Sequence, residues 1–164
     1  ANGVDTQIFS PSPGKRPRPQ DCPFIPGLHW MFGTVGRMQT VKNQPNLARA
    51  FVEWVRRDPD ASSLARLVLV GDGPLRTEVE AILAAAGLLD RAWLPGGRSD
   101  ISTILQSLDC FVLPSDAEGT SCTLQEAMSC GLPCIATAVG GNPDLLMQGG
   151  AGTLVPPGLS LIHI

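Results

Sequence analysis

The run Glu118-Gly119-Thr120-Ser121-Cys122-Thr123-Leu124-Gln125-Glu126 carries two carboxylates with seven residues between them. The stretch before it, Cys110-Phe111-Val112-Leu113-Pro114, reads as a buried strand, and a helix is expected from Thr120. Free N–H groups at a helix start attract phosphate, and a glycine there lets a ligand approach the backbone closely. Carboxylates on either side accept hydrogen bonds from hydroxyl groups. A diphosphate in the middle with hydroxyls at both ends is the outline of a nucleotide sugar.

Positive charge for such a diphosphate stands after the first expected strand, at Arg37 and, five positions on, Lys42. Two cations and a helix N-terminus can stabilise a departing nucleoside diphosphate without a metal. Each residue also has a plainer explanation. Glu126 could be an exposed helix glutamate, Glu118 a carboxylate favoured by the helix dipole, and Arg37 and Lys42 surface charges. Gly71-Asp72-Gly73-Pro74-Leu75-Arg76 invites a dinucleotide reading, but Arg76 stands where the third glycine belongs. Gly71 and Gly73 therefore read as a tight turn that could line the base pocket. Asp58-Pro59-Asp60 ends an amphipathic helix, where turn chemistry explains it better than metal binding. Neither His29 nor His163 follows a strand with a carboxylate partner, so no nucleophile–histidine triad can be assembled.

The elements that position these residues alternate. Strands are expected at residues 31–35, 66–70, 92–94, 110–113, 134–138 and 153–155, and helices at 43–57, 74–86, 100–108, 120–129 and 142–147. Such alternation specifies an α/β fold, a Rossmann-like parallel sheet with helices on both faces. Ligands in these sheets sit beyond the carboxyl ends of the strands. That places weight on the loops at 36–42, 71–74, 95–99, 114–119 and 139–142. Residues 1–29, rich in Pro, Gly and charge, read as a linker or entry segment with a solvated basic patch at Lys15-Arg16-Pro17-Arg18. Residues 30–158 form the binding domain. The tail at 159–164 breaks the pattern, looks like a translated sequencing adaptor, and is set aside from the fold.

Bulk properties agree with this organisation. The chain has 164 residues, 43% hydrophobic and 16% charged, which suits one soluble domain large enough to bury a core without disulfides. A net charge of −3 gives no nucleic-acid surface. No apolar run approaches the ~20 residues that span a bilayer. The five cysteines are an odd number, and Cys130 and Cys134 lack a second pair at zinc-ligand spacing. Buried free thiols in a reducing cytosol are the reading, with no metal.

From Asn2 to Pro157 the chain resembles the carboxyl-terminal, donor-binding half of family 4 retaining glycosyltransferases of the GT-B fold. The resemblance rests on pieces in order: Asn2-Gly3-Val4-Asp5, Val35-Gly36-Arg37 with Lys42, Val70-Gly71-Asp72-Gly73-Pro74, Glu118 and Glu126, Gly131-Leu132-Pro133, and Val139-Gly140-Gly141-Asn142-Pro143. Gly33-Thr34-Val35-Gly36-Arg37-Met38, Leu94-Pro95-Gly96 and Glu118-Gly119-Thr120-Ser121 are similar to sugar transferases of exopolysaccharide clusters associated with exosortase and PEP-CTERM systems. Cys122, Gln125 and Asp144 depart from the family pattern.

The resemblance implies Arg37, Lys42 and Glu118 as catalytic residues, with Glu118 on a donor-sugar hydroxyl. It implies Gly36, Gly71, Gly73, Pro95, Gly96, Gly119, Thr120, Ser121, Thr123 and Glu126 as donor-binding residues, with Glu126 on the ribose. Thr137, Gly140 and Gly141 are expected to line the sugar side. The implied substrate is a nucleoside-diphosphate sugar, UDP by family frequency, with no cofactor or metal. The implied setting is a cytoplasmic enzyme, peripheral to the inner membrane in a full-length parent, whose amino-terminal domain holds the acceptor. That domain and the family's last helices are expected to be missing, which would leave the fragment inactive alone. The alternatives are a nucleotide-sugar epimerase, a non-catalytic nucleotide-sugar-binding module, and a nicotinamide-dependent oxidoreductase.

Overall fold

β-branched and aliphatic runs of three to six residues, each between turn-forming loops, pair into one sheet. The structure, a computed structural model, describes residues 3–158. Among them are β1 (Trp30–Val35), β2 (Ala65–Val70), β3 (Ala92–Gly96), β4 (Cys110–Leu113), β5 (Cys134–Thr137) and β6 (Thr153–Val155). Their order is β3-β2-β1-β4-β5-β6, and every pairing is parallel. The helices are α1 (Gln44–Arg57), α2 (Arg76–Ala85), α3 (Ile101–Ser107), α4 (Cys122–Ser129) and α5 (Asn142–Leu145). This is the doubly wound α/β arrangement expected from the alternation.

Strand side chains alternate between two cores because the period is two. Leu67, Leu69, Cys110 and Val112 join Leu47, Phe51, Val79 and Leu83 of α1 and α2 on one face. Val68, Val70, Phe111 and Leu113 join Ile104, Leu105, Leu124 and Ala127 of α3 and α4 on the other. Each fully buried Leu or Phe contributes about 1.5–3 kcal/mol relative to exposure. On the first face Trp54 meets Phe32 edge-on at 5.2 Å between ring centroids.

Several boundaries move for local reasons. α2 begins at Arg76 rather than Pro74: Pro74 and Leu75 form a turn in which the Leu75 N–H donates to the Met38 carbonyl of the neighbouring loop. α4 begins at Cys122 rather than Thr120, with Ser121 as cap, its hydroxyl accepting from the Leu124 N–H. Asp100 stands at the cap position of α3, but its carboxylate is held by the Arg98 guanidinium at 2.8 Å on both oxygens instead of capping. α5 stops at Leu145 because Met147 and Gln148 both take positive φ. β3 runs on through Pro95 and Gly96, expected as loop. It is an edge strand, and the register shift between Val68 and Val70 accommodates the proline that cannot donate.

The amino-terminal segment is not a solvated linker where it is described. Cys22 and Phe24 are buried, Phe9 packs on the same core, and Ser129 Oγ donates to the Phe9 carbonyl. Arg16 pairs with Asp109, and Arg18 donates twice to the Cys22 carbonyl, so the basic patch is partly engaged in tying this segment down. Asn2 and the tail at 159–164 lie outside the described residues.

Two glycines govern the approach of neighbouring loops. Gly71 has φ +125°, and a Cβ there would stand 2.1 Å from the Gly36 carbonyl oxygen. Gly73 similarly faces the Met38 carbonyl oxygen at 2.4 Å. The two loops are then stitched by Met38 N–H to the Asp72 carbonyl (2.9 Å) and Leu75 N–H to the Met38 carbonyl (3.1 Å). Gly71→Ala should destabilise the fold by about 2 kcal/mol or more in urea unfolding, because strain and backbone clash combine. An unchanged midpoint would contradict this contact. Burial pushes the Cys134 thiol up to about 12 and Cys110 up to about 11. Cys22 and Cys130 are buried as well, whereas Cys122 is exposed. A thiol reagent should therefore modify Cys122 in the folded chain and reach the others only after denaturant is added. Equally fast reaction of all five would disprove the burial.

Candidate functional site at the carboxyl ends of β1 and β4

β1 feeds α1 on one face of the sheet, and β4 feeds α4 on the other, while the two strands are neighbours. Loops leaving adjacent parallel strands for opposite faces open a crevice, the switch point at which such sheets bind ligands. After β1 the chain passes Gly36 and Arg37, makes a 3-10 turn at Thr40–Lys42, and enters α1. After β4 it passes Pro114, Ser115, Asp116 and Glu118 and enters α4 at Cys122.

Lys42 Nζ donates to Glu118 Oε1 at 2.5 Å across this crevice, and Ser115 Oγ donates to the same oxygen at 2.6 Å. The Glu118 side chain is 7% exposed and the Lys42 side chain 27%. The structure thus unites two of the three expected catalytic residues, but as partners of each other. Arg37 is exposed, and among the described residues its guanidinium forms no ion pair. The expected Arg37 and Lys42 pair of cations is therefore not assembled in this state.

Glu118 is held from beneath. Ser115 is fully buried, and its carbonyl accepts from Thr137 Oγ1 at 2.5 Å. Asn142 Nδ2 in turn donates to the Thr137 carbonyl at 3.0 Å. A further pin is Gly140, with φ +52°, where a Cβ would overlap the Glu118 carbonyl oxygen at 1.6 Å. Gly141 N–H donates to the Gly119 carbonyl at 2.9 Å. The Thr137 hydroxyl, the absence of a Gly140 side chain and the Gly141 N–H, at positions expected to line the sugar side through backbone amides, fix the β4–α4 loop.

The start of α4 suits an anion. Gly119 and Thr120 are exposed on the loop, nothing lies within 4 Å of a Cβ built at Gly119, and the first amides of a helix lack intrahelical acceptors. Ser121 caps the helix, with Thr123 Oγ1 3.3 Å from its hydroxyl. Glu126 is the fifth residue of α4, one turn in rather than two, on the same side as Cys122. It is half-buried, burial pushes its carboxyl above the ordinary glutamate range, and among the described residues no hydrogen bond reaches its carboxylate.

The remaining expected donor-binding residues divide. Gly36 and Gly71 meet at the β1 and β2 loops, and Gly73 packs on Met38, so backbone packing already accounts for Gly71 and Gly73. Pro95 and Gly96 end β3, where Gly96 accepts from Gly71 N–H at 2.9 Å. Beside them an open polar recess is lined by Gln20, Gly97, Arg98, Ser99 and Asp100. Asn43, Gln44, Ser115 and Asp116 are site residues that sequence reasoning missed. Gln44 is buried and donates to the carbonyls of Gly36 and Arg37 at 3.3 and 3.1 Å. A readable signal existed for Ser115, a polar residue directly after a strand-ending Leu113-Pro114.

A doubly wound parallel sheet with an anion-suited helix start and a cation–carboxylate pair at its switch point defines a Rossmann-like α/β domain with a polar crevice at the strand ends. The comparisons narrow this. The profile of the family described as Glycosyl transferases group 1 matches residues 30–160. A UDP-Gal:alpha-D-GlcNAc-diphosphoundecaprenol alpha-1,3-galactosyltransferase of Escherichia coli is 34% identical over 155 residues, covering 94% of this chain and 40% of that protein. The carboxyl-terminal domain of the group 1 glycosyl transferase LpcC from Francisella tularensis superposes with a TM-score of 0.80 at 29% identity, covering 96% of this chain and 82% of that one. Anabaena HepE in complex with UDP and glucose superposes with a TM-score of 0.83 at 25% identity, covering 99% and 44%. The chain belongs to the group 1, family-4-like glycosyl transferases, and it corresponds to their carboxyl-terminal GT-B domain. It spans less than half the length of the E. coli relative. Among the described residues no helix is long and apolar enough to cross a membrane.

Glu126 makes a prediction through its raised carboxyl. A raised native pKa means the folded chain binds the proton more tightly than the unfolded one. Stability then falls as pH rises from the ordinary glutamate range through the raised value, and stays lower above it. Glu126→Gln should raise the thermal midpoint at neutral pH, and the gain should vanish below about pH 4. A neutral-pH loss of stability would show that the carboxylate is structural.

Proposed function

We propose that this chain is the donor-binding half of a retaining glycosyltransferase, which moves a sugar from a UDP-sugar to a saccharide or lipid-linked acceptor. The observation that carries the reading is the half-buried Glu126 one turn into α4, whose carboxylate has no hydrogen-bond partner among the described residues, with the Lys42–Glu118 pair at the other end of an anion-suited loop. Diphosphate lies over Gly119, Thr120 and the first amides of α4. Glu126 accepts from the ribose hydroxyls, and Glu118 accepts from a hydroxyl of the donor sugar. Pro95, Gly96 and the neighbouring recess stand on the base side. UDP is favoured by the UDP-Gal donor in the E. coli relative's name and by the UDP complex of HepE.

Lys42, turning from Glu118, and Arg37, free to swing in from solvent, stabilise the charge on the leaving diphosphate. The bond from the anomeric carbon to the diphosphate oxygen breaks, and a bond to the acceptor oxygen forms on the same face. The acceptor's proton passes to a diphosphate oxygen. The protein supplies this step with placement and charge, and no metal is invoked. The acceptor is held by an amino-terminal domain, for which the length of the relatives leaves room. We place the enzyme in the cytoplasm, peripheral to the inner membrane, in surface polysaccharide synthesis. The diphosphoundecaprenol-linked acceptor in the E. coli relative's name favours that setting, and the exosortase-associated motifs favour the finer subtype.

Calorimetric titration of the chain with UDP, GDP and NAD tests the reading. UDP should bind, and Glu126→Gln should weaken it by roughly tenfold or more, the loss of a charge-assisted hydrogen bond. NAD binding alone, or no nucleotide binding to a demonstrably folded chain, would overturn it.

A further inference from the structure

Asn43 holds φ 48° and ψ 42°, the left-handed region, although it is not glycine. It occupies the cap position of α1, where an asparagine side chain ordinarily accepts from its own helix, yet it makes no such bond. Its Nδ2 instead donates across the crevice to both carboxylate oxygens of Asp116, at 3.0 and 2.9 Å. The Asp116 backbone N–H donates to the Val41 carbonyl at 2.9 Å. Val41 and Asn43 flank Lys42, and Asp116 lies two residues before Glu118. Three hydrogen bonds therefore bracket the Lys42–Glu118 contact and join two loops that 73 residues of chain separate. The left-handed backbone closes the 3-10 turn, with Asn43 N–H donating to the Thr40 carbonyl, an ordinary place for asparagine. What points to a role in the site is the side chain, which reaches Asp116 beside Lys42 and Glu118 instead of capping α1.

We propose that Asn43 and Asp116 form a clasp between the β1 and β4 loops, a pair of positioning residues that sets Lys42 at the correct spacing from Glu118 for donor binding. The clasp rests on the donor-half reading for its consequence but not for its geometry. Neither residue needs to touch the donor. With the turn at Thr40–Lys42 tied to the β4 loop, Lys42 exchanges Glu118 for a phosphate by side-chain rotation alone, without moving its backbone. Without the side-chain contact the turn keeps only the Asp116 N–H to Val41 carbonyl bond and the Lys42–Glu118 pair itself across the crevice, and the ammonium samples a wider volume.

The test separates strain from contact. Asn43→Gly keeps the left-handed backbone without penalty and removes only the amide; Asp116→Ala removes the acceptor, and Asp116→Asn retains one. The whole chain is used, with nuclear magnetic resonance of the Lys42 ammonium and Glu118 carboxylate as one readout and UDP affinity as the other. Asn43→Gly and Asp116→Ala should each shift both side-chain signals and weaken UDP by roughly five- to tenfold, a coupling typical of contacting groups. Asp116→Asn should recover most of the loss seen with alanine. Unchanged Lys42 and Glu118 signals in a folded Asn43→Gly chain would overturn the clasp. Shifted signals with undiminished UDP affinity would overturn its role in donor binding. If the unaltered chain binds no UDP, the donor reading fails, and the side-chain signals alone decide whether the clasp exists.

Discussion

The site depends on the adjacency of β1 and β4. Lys42 and Glu118 are 76 residues apart in the chain and meet only because two parallel strands lie side by side with their crossover helices on opposite faces. Were both helices on one face, their loops would pack against each other and no crevice would open. The same divergence leaves the start of α4 accessible while its apolar side, through Leu124 and Ala127, is buried in the core. A partly buried ion pair spans the opening. Its carboxylate is desolvated, so the Ser115 hydroxyl and the Lys42 ammonium on one oxygen offset the loss of water.

Rigidity below the site comes from a short polar ladder rather than from apolar packing alone. Asn142, Thr137, Ser115 and Glu118 are joined in sequence by hydrogen bonds of 3.0, 2.5 and 2.6 Å, the first three residues being fully buried or nearly so. In a low-dielectric interior such a chain holds its members tightly, because each unpaired alternative is costly. Glycines complete the support where a side chain would collide with a neighbouring carbonyl. Gly140 against Glu118 and Gly71 against Gly36 bring each loop into contact with the one beside it. Gly71, read from the sequence as part of a tight turn, and Gly140, expected on the sugar side, thus make room for neighbouring backbone, whereas Gly119 in the β4–α4 loop has an open Cβ position.

Much of the architecture was legible because hydrophobic period and strand length are local properties. The strands at 110–113 and 153–155 were read to the residue, and the others within two residues at either end. The misplaced helix starts at 74 and 120 share a cause: a turn of one or two residues after Gly73 or Gly119 looks helical in composition but is set by loop-to-loop contact. The amino-terminal segment was misread because its burial is scattered, with Cys22, Phe24 and Phe9 meeting the core singly rather than at a periodic spacing. Within the site, Glu118, Glu126 and Lys42 could be named from type and order. Asn43, Gln44, Ser115 and Asp116 could not, since their partners lie in other loops or on the backbone.

The sequence by itself determined the sheet class, the two carboxylates flanking a helix start, and membership of a glycosyl transferase family. Those depend on periodicity, turn residues and short motifs, all of which act within a dozen residues. Only the tertiary structure decided that Lys42 pairs with Glu118 rather than standing beside Arg37, that Ser115 supports the carboxylate, and that Asn43 reaches Asp116 in place of capping its own helix. These are contacts between side chains on different strand ends, or within a loop whose shape other loops impose. Their geometry follows from strand order and loop packing, which no local pattern encodes.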